Sequence, residues 1–331
     1  MTFWDELPRP FFALAPMEAV TDVVFRHVIA RAAPPDLYYT EFTNATGWVH
    51  AGDKAIRGRL VKTNDEHPIV AQIWGGEPGD MEQIAYHCRS LGYDGIDINM
   101  GCPAKSAIKS GGSALIRQPD IAVASIQAAK SAGLPVSVKT RLGYSSTAEW
   151  REWLTTLLRQ DISALTIHLR TKREMSKVPA YWELMPEIIA LRDEVAPQTV
   201  VIGNGDVRDH MHGLELIEQN GCDGVMIGRG IFSDPFAFAR SEGRGKKDKG
   251  RGESHGGNRK SELIDLLKYH LELYDQYAAQ TGRPFDTLKR FFKIYIRDFD
   301  GASDLRAALM LAHDTSEVRE LIKNHEKSRT Y

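Results

Sequence analysis

The sequence predicts an α/β fold, a (β/α)8 TIM barrel followed by a small all-helical C-terminal domain, and three observations carry that prediction. Short unbroken apolar runs alternate with longer amphipathic stretches, glycine or proline punctuates most junctions, and the alternation stops near residue 240.

The apolar runs are Phe11–Met17, Leu37–Phe42, Pro68–Trp74, Gly95–Met100, Pro135–Arg141, Ala164–Arg170, Thr199–Gly205 and Gly224–Gly230. Valine, isoleucine, leucine and aromatics dominate them, and they are too short to read as helices. Between them Asp80–Leu91, Pro119–Ala132, Glu149–Gln160 and Asp209–Asn220 carry helical periodicity, with Gly92, Gly133-Leu134-Pro135, Pro197 and Gly221 at the junctions. Strands apolar on both faces and joined by helical crossovers make a parallel sheet, and eight such units close into a barrel. The alternative, an open doubly wound sheet, lacks its Gly-rich dinucleotide turn after the first run.

A chain of 331 residues suits a barrel of roughly 250 residues plus a smaller module. Residues 1–240 form the barrel. Residues 241–260 hold six Gly, seven Lys/Arg and three acids without an aliphatic or aromatic side chain, which predicts a flexible basic linker or long exposed loop. Beyond it Ser261–Gln280, Pro284–Arg297, Ser303–His313 and Ser316–Lys327 read as amphipathic helices, with Thr281-Gly282-Arg283-Pro284 as a stop and a new start.

With 42% hydrophobic and 26% charged residues there is ample material for a core, and a net charge of −2 confines nucleic-acid binding to a local basic surface. Three cysteines, none in a CxxC pair, speak for a reducing, cytoplasmic setting and against structural zinc. The N-terminus has no signal-peptide pattern, and no apolar run approaches the roughly 20 residues of a membrane helix.

In this fold chemistry gathers at the C-terminal strand ends. Those positions hold Ala15-Pro16-Met17, Gln72, Asn99-Met100-Gly101-Cys102-Pro103, Lys139 and Arg141, His168 and Arg170, Asn204-Gly205-Asp206, and Gly228-Arg229-Gly230. Polar residues in at least six otherwise apolar strands are costly unless they meet a ligand or one another. The last two motifs describe a phosphate site after strands seven and eight, or else only tight turns. Lys139 points into the barrel by alternation, suited to an anionic ring or a phosphate, or to an internal salt bridge. Cys102, on a loop near Lys105 and Lys109, suits proton or nucleophile chemistry, or is an inert thiol. His168 alone reads as a core histidine; beside the lysine strand it reads as a cofactor contact.

The ordered set Leu14-Ala15-Pro16-Met17, Thr21-Asp22, Thr40-Glu41, Gln72, Asp97-Ile98-Asn99-Met100-Gly101-Cys102-Pro103, Gly111–Leu115, Val138–Gly143, His168, Asn204-Gly205-Asp206 and Gly228-Arg229-Gly230 resembles the tRNA-dihydrouridine synthases. The resemblance runs from about residue 11 to 235 and implies an FMN-binding barrel followed by a helical, RNA-binding domain. It implies that Pro16 and Met17 lie against the flavin, with Glu18 adding charge near its edge. Gln72, Lys139 and His168 would contact the ring system or ribityl chain, while Asn204, Gly205, Asp206, Gly228 and Arg229 surround the phosphate. Cys102 takes the place of the family's proton donor, and Asn99 and Arg141 face the target base. The implied reaction is reduction of a uridine in tRNA by FMN, itself reduced by NADPH, on a base extruded from its stack. The implied enzyme is monomeric on RNA, with no metal. After His168 the run Leu169–Lys177 departs from the family's glycine-containing continuation.

Lys289, Lys293 and Arg297 recur every fourth residue with Arg290 adjacent, one basic stripe if the segment is a single helix. Such a stripe tracks phosphates or is a plain solvated face, since residues 261–331 hold 11 basic and 12 acidic residues. Two other readings compete: a small-molecule flavin barrel of the dihydroorotate dehydrogenase type, and an inactive RNA-binding barrel.

Overall fold

The structure is a computed structural model and describes residues 2–105, 107–240 and 256–327. Nine strands form one parallel sheet: β1 (Phe11–Leu14), β2 (Tyr38–Tyr39), β3 (Thr43–Asn44), β4 (Ile69–Trp74), β5 (Gly95–Asn99), β6 (Val136–Arg141), β7 (Ala164–His168), β8 (Val200–Asn204) and β9 (Gly224–Ile227). The order is β1-β9-β8-β7-β6-β5-β4-β2; β3, just beyond the second expected run Leu37–Phe42, also pairs with β4. A parallel bridge between Ala13 and Leu37 joins the two ends of that order and closes the barrel. Most strands are shorter than the apolar runs that predict them, because the backbone turns away at the polar and glycine residues of the C-terminal face.

Strand alternation sorts the core into two. Phe11, Ala13 and Ala15 join Leu37, Tyr39, Val70, Ile202 and Met226 in an inner cluster, which Trp4 of the short N-terminal helix Phe3–Glu6 plugs from below. Phe12 and Leu14 face the other way, into the larger cluster between strands and helices. Helices follow the strands at Val23–Ala32, Ala45–Ala51, Pro78–Ser90, Pro119–Lys130, Trp150–Leu158, Met185–Val195 and His210–Asn220. Proline at the start of Pro78–Ser90 and Pro119–Lys130, and the Asp209 carboxylate accepting from His212 N–H, set their beginnings. After β9, among the described residues up to 240, the one helix is Gly230–Ser233.

The linker expected at 241–260 falls at residues 241–255 outside the described residues. From Gly256 the chain is already helical, to Thr281, five residues before the expected start. That helix packs on Val23–Ala32: Arg31 lies over the Tyr269 ring at 4.3 Å, His270 faces Phe25, and Phe25 meets Phe291 at 4.6 Å. Core residues between Ile264 and Ile322 belong to the same cluster as the outer barrel core. Helices also cover Ala302–Leu311 and Thr315–Lys327.

One expected helix is corrected. Pro284–Arg297 breaks into Phe285–Thr287, Lys289–Phe291 and Phe292–Tyr295, the first two 3-10 turns. Phe291, Phe292, Ile294, Tyr295 and Ile296 are all buried, so apolar side chains leave the segment in too many directions for one amphipathic helix.

Candidate active site

Strand register builds the site in layers. Gln72, Asp97 and Ser137 are partners across β4, β5 and β6, and Asn99, Lys139 and Thr166 form the next layer across β5, β6 and β7. Arg141, His168, Asn204 and Met226 come last, across β6 to β9. A one-residue slip of any strand would turn its polar side chain out of the barrel.

At the β6–β9 side lies a cavity of about 810 Å³, lined by Ala15, Pro16, Met17, Lys139, His168, Arg170, Asn204, Gly205, Asp206, Gly228 and Arg229 among others. Lys139 Nζ donates to Asn204 Oδ1 at 3.1 Å, and Asn204 Nδ2 to the Met226 carbonyl at 2.9 Å. Burial, with Arg141 nearby, lowers the Lys139 ammonium to about 8. The two glycine motifs meet there. Gly205 sits at φ +127°, and a Cβ on Gly230 would lie 2.2 Å from the Arg208 carbonyl.

Arg170 is the hub of this side, and residue-by-residue reading gave it no role. Its Nε donates to Val178 O at 2.6 Å, one Nη meets His168 Nε2 at 3.0 Å, and the other pairs with Asp206. Because a guanidinium only donates, His168 Nε2 accepts and Nδ1 carries the hydrogen. Burial, then Arg141, Lys139, Arg170 and Arg229, pushes the His168 pKa far down, so the ring is neutral. The Asp206 carboxylate is committed to Arg170, to Arg229 at 3.2 Å and to Ala180 N–H at 3.0 Å. It therefore positions cations. Arg170 follows His168 by two residues and so shares its strand face, which gives its place but not its partners.

Gln72, Asn99, Arg141 and Cys102 stand beside the cavity, on β4 to β6. Ser137 Oγ donates to Asp97 Oδ1 at 2.6 Å and Gln72 Nε2 to Asp97 Oδ2 at 2.7 Å. Asn99 Nδ2 then donates to Gln72 Oε1 at 2.9 Å, leaving Asn99 Oδ1 to accept the Gly101 and Cys102 amides at 3.0 and 2.9 Å. One buried carboxylate thus dictates the orientation of two amides in series, which in turn hold the cysteine loop. Burial raises the Asp97 carboxyl to about 6 and also raises the Cys102 thiol, so Cys102 is protonated at neutral pH. The Cys102 carbonyl accepts from Ser113 N–H and Oγ, and Gly112 at φ +56° leaves room for it. Arg141 donates to the carbonyls of Gly101 at 2.7 Å, Thr171 at 3.1 Å and Met175 at 2.8 Å.

Glu18 is paired with Arg59 at the rim, so its charge is answered before any cofactor edge. The stripe does not form. Lys289 bonds Asp286 at 2.8 Å, Arg290 donates to the Ala19 carbonyl at 3.1 Å, and Lys293 and Arg297 line a second cavity of about 690 Å³ with Arg306. Four-residue spacing requires a continuous helix, and the segment is broken. A second feature went unread: Arg283 pairs with the fully buried Glu41, which also accepts from Ala19 N–H. Ala19, at φ +57°, is thereby gripped on both sides just after Pro16-Met17. Among the described residues no helix is long and apolar enough to cross a membrane, and no group of three metal-ligating side chains is assembled.

The dihydrouridine synthase family model matches residues 13–329. A probable tRNA-dihydrouridine synthase 2 of Bacillus subtilis (strain 168) is 54% identical over 327 residues, 98% of this chain and 97% of the relative. A probable tRNA-dihydrouridine synthase of Staphylococcus aureus (strain Mu50) is 52% identical over 98% of this chain and 95% of its own length. A solved 6-hydroxypseudooxynicotine amine oxidase from Pseudomonas geniculata N1 covers 69% of this chain and 46% of its own, at TM-score 0.51 and 13% identity, a likeness of fold alone. Similarity at that level across nearly the whole chain, joined to the barrel and the ordered motifs on its C-terminal face, means that this chain belongs to the dihydrouridine synthase family.

Proposed function

We propose that the protein reduces the C5–C6 bond of a uridine in tRNA to 5,6-dihydrouridine, with FMN in the β6–β9 cavity, NADPH as reductant and Cys102 as proton donor. The observation that carries the reading is the pairing of a cationic cavity with a protonated thiol one strand away. Lys139, Arg170, Arg208 and Arg229 line the cavity together with three acids, Asp206, Asp209 and Asp234, and Asp206 alone is shared by Arg170 and Arg229. Its size suits a cofactor, and an anion there would relieve the crowding of cations that, after burial, keeps His168 neutral. The donor set therefore fits a flavin mononucleotide.

Bound FMN would supply the hydride for C6. Pro16 and Met17 give it an apolar wall, and Lys139 and the His168 Nδ1–H present donors to its polar edge. Gly205, Gly228 and Arg229 would hold the phosphate end. Lys139 would stabilise negative charge at the ring's polar edge through a fixed ammonium. Asn99 and Gln72 hold the Cys102 loop so that the thiol proton reaches C5, and Arg141 locks that loop against residues 171–175. A stacked base cannot reach a barrel mouth, so the uridine enters extruded. The setting implied is the cytoplasm, with the enzyme monomeric on its RNA.

The test is nucleoside mass spectrometry of total tRNA from cells with and without this gene, complemented by wild-type protein or Cys102→Ala. Loss of dihydrouridine at one position, restored by wild type alone, supports the reading. Unchanged dihydrouridine in a strain lacking the gene would sink it and leave a flavin barrel acting on free pyrimidines.

A further inference from the structure

We infer that Met175 is a wedge that enters the gap left in the RNA stack when the target uridine is extruded, and that residues 171–177 are the platform that presents it. The inference rests on an RNA base being the substrate of this site.

Met175 is a large apolar side chain left 45% exposed on a turn at the cavity rim, where the next residue, Ser176, lines the cavity itself. Its backbone is left-handed at φ +58°, sparsely populated for a residue other than glycine. The turn is nonetheless rigidly held. The Glu174 carboxylate accepts from Thr171 N–H and Oγ1 at 2.8 Å each and from Tyr181 Oη at 2.7 Å. The Met175 carbonyl is bonded by Arg141, whose Nε holds the Gly101 carbonyl of the Cys102 loop. One guanidinium therefore ties the Met175 backbone to the loop that carries Cys102. A solvent-exposed methionine contributes nothing to the core that would explain so much support.

The surroundings identify the partner. Arg173 and Lys177 are exposed on the same turn. Lys172 and Arg117 both lie over the Tyr144 ring, at 4.6 and 3.8 Å. Cations flanking a lone apolar tip suit a polyanion with flat apolar faces, and apolar side chains inserted between base steps are the known way proteins stabilise an unstacked step. Methionine is unbranched and polarisable, able to follow a base face.

The experiment compares wild type, Met175→Ala and Met175→Leu on an unmodified tRNA transcript and on a short single-stranded RNA carrying the same uridine. In parallel, 2-aminopurine beside that uridine in the transcript reports unstacking on binding alone. The expected result is a loss of roughly tenfold or more in kcat/KM on tRNA for the alanine variant. The short RNA is turned over as by wild type, leucine restores most of the loss, and the 2-aminopurine signal rises with wild type and leucine but not with alanine. Equal activity of alanine and wild type on tRNA, or an unchanged 2-aminopurine response, overturns the wedge. A wild-type protein that binds and reduces neither RNA overturns the reading of the site as well, which separates the two failures.

Discussion

At the β6–β9 side of the site the side chains are ionised and hold one another by charge, Arg170 and Arg229 on Asp206 with Lys139 close by. At the β4–β5 side two side-chain amides and the backbone of the Cys102 loop hang in series from one carboxylate, held by direction. The first arrangement is prepared for an incoming anion and leaves cationic charge in excess. The second is built of neutral amides on one carboxylate, and burial keeps the Cys102 thiol protonated although Arg141 lies nearby, as the proposed proton donation requires. Neighbouring strands of one barrel thus hold opposite electrostatic environments, separated by the Asn99–Lys139 pair in register.

If the two sides are separate devices, variants should split their effects. The largest expected effect is that of Cys102→Ala: uridine reduction falls by about 10²–10⁴, the usual contribution of a general acid, while the yellow flavin stays bound. Loss of flavin in that variant would break the comparison. Next, Gln72→Leu leaves Asp97 without one donor and Asn99 without its acceptor. Denaturant unfolding should show a loss of about 1–3 kcal/mol, with a slower reduction step and little change in flavin affinity. Arg170→Leu should act in reverse, weakening flavin binding by roughly tenfold through the disordered Asp206–Arg229 pair. The thiol titration of Cys102, followed by the pH dependence of alkylation, should stay as in wild type.

The smallest effect is a pH dependence. Lys139, lowered to about 8, is charged below that pH and neutral above it. Flavin affinity of the apoprotein should therefore fall as pH rises through about 8. Its contribution to stability has the opposite sign. Between about 8 and 10.5 the unfolded chain holds more protons on this lysine than the folded one, so the apoprotein gains stability as pH rises through that window. Isothermal titration and thermal unfolding at the same pH values would show the two trends crossing. Parallel trends would mean that Lys139 does not face the anion.

The alternation of apolar runs and helical stretches placed all eight barrel strands, because period two and period 3.6 are local properties of the chain. Cys102, Lys139, His168 and the two glycine motifs were legible for the same reason: each sits in or at the end of an apolar run, where a polar or glycine residue stands out. The roles of Arg170, Asp97, Glu41 and Arg283 were not legible, since each depends on a partner far along the chain; Glu41 and Arg283 are 242 residues apart. The basic stripe failed for the complementary reason, that burial of five apolar residues in different directions overrode the helical period of 284–297. Sequence by itself determined the barrel, the family and which polar residues gather at the C-terminal strand ends, through periodicity and motif order. Only the tertiary structure decided which of those residues keep their charge, which way each amide points and what holds Ala19 and Met175 in left-handed conformations, because burial and hydrogen-bond direction arise only when distant strands share a register.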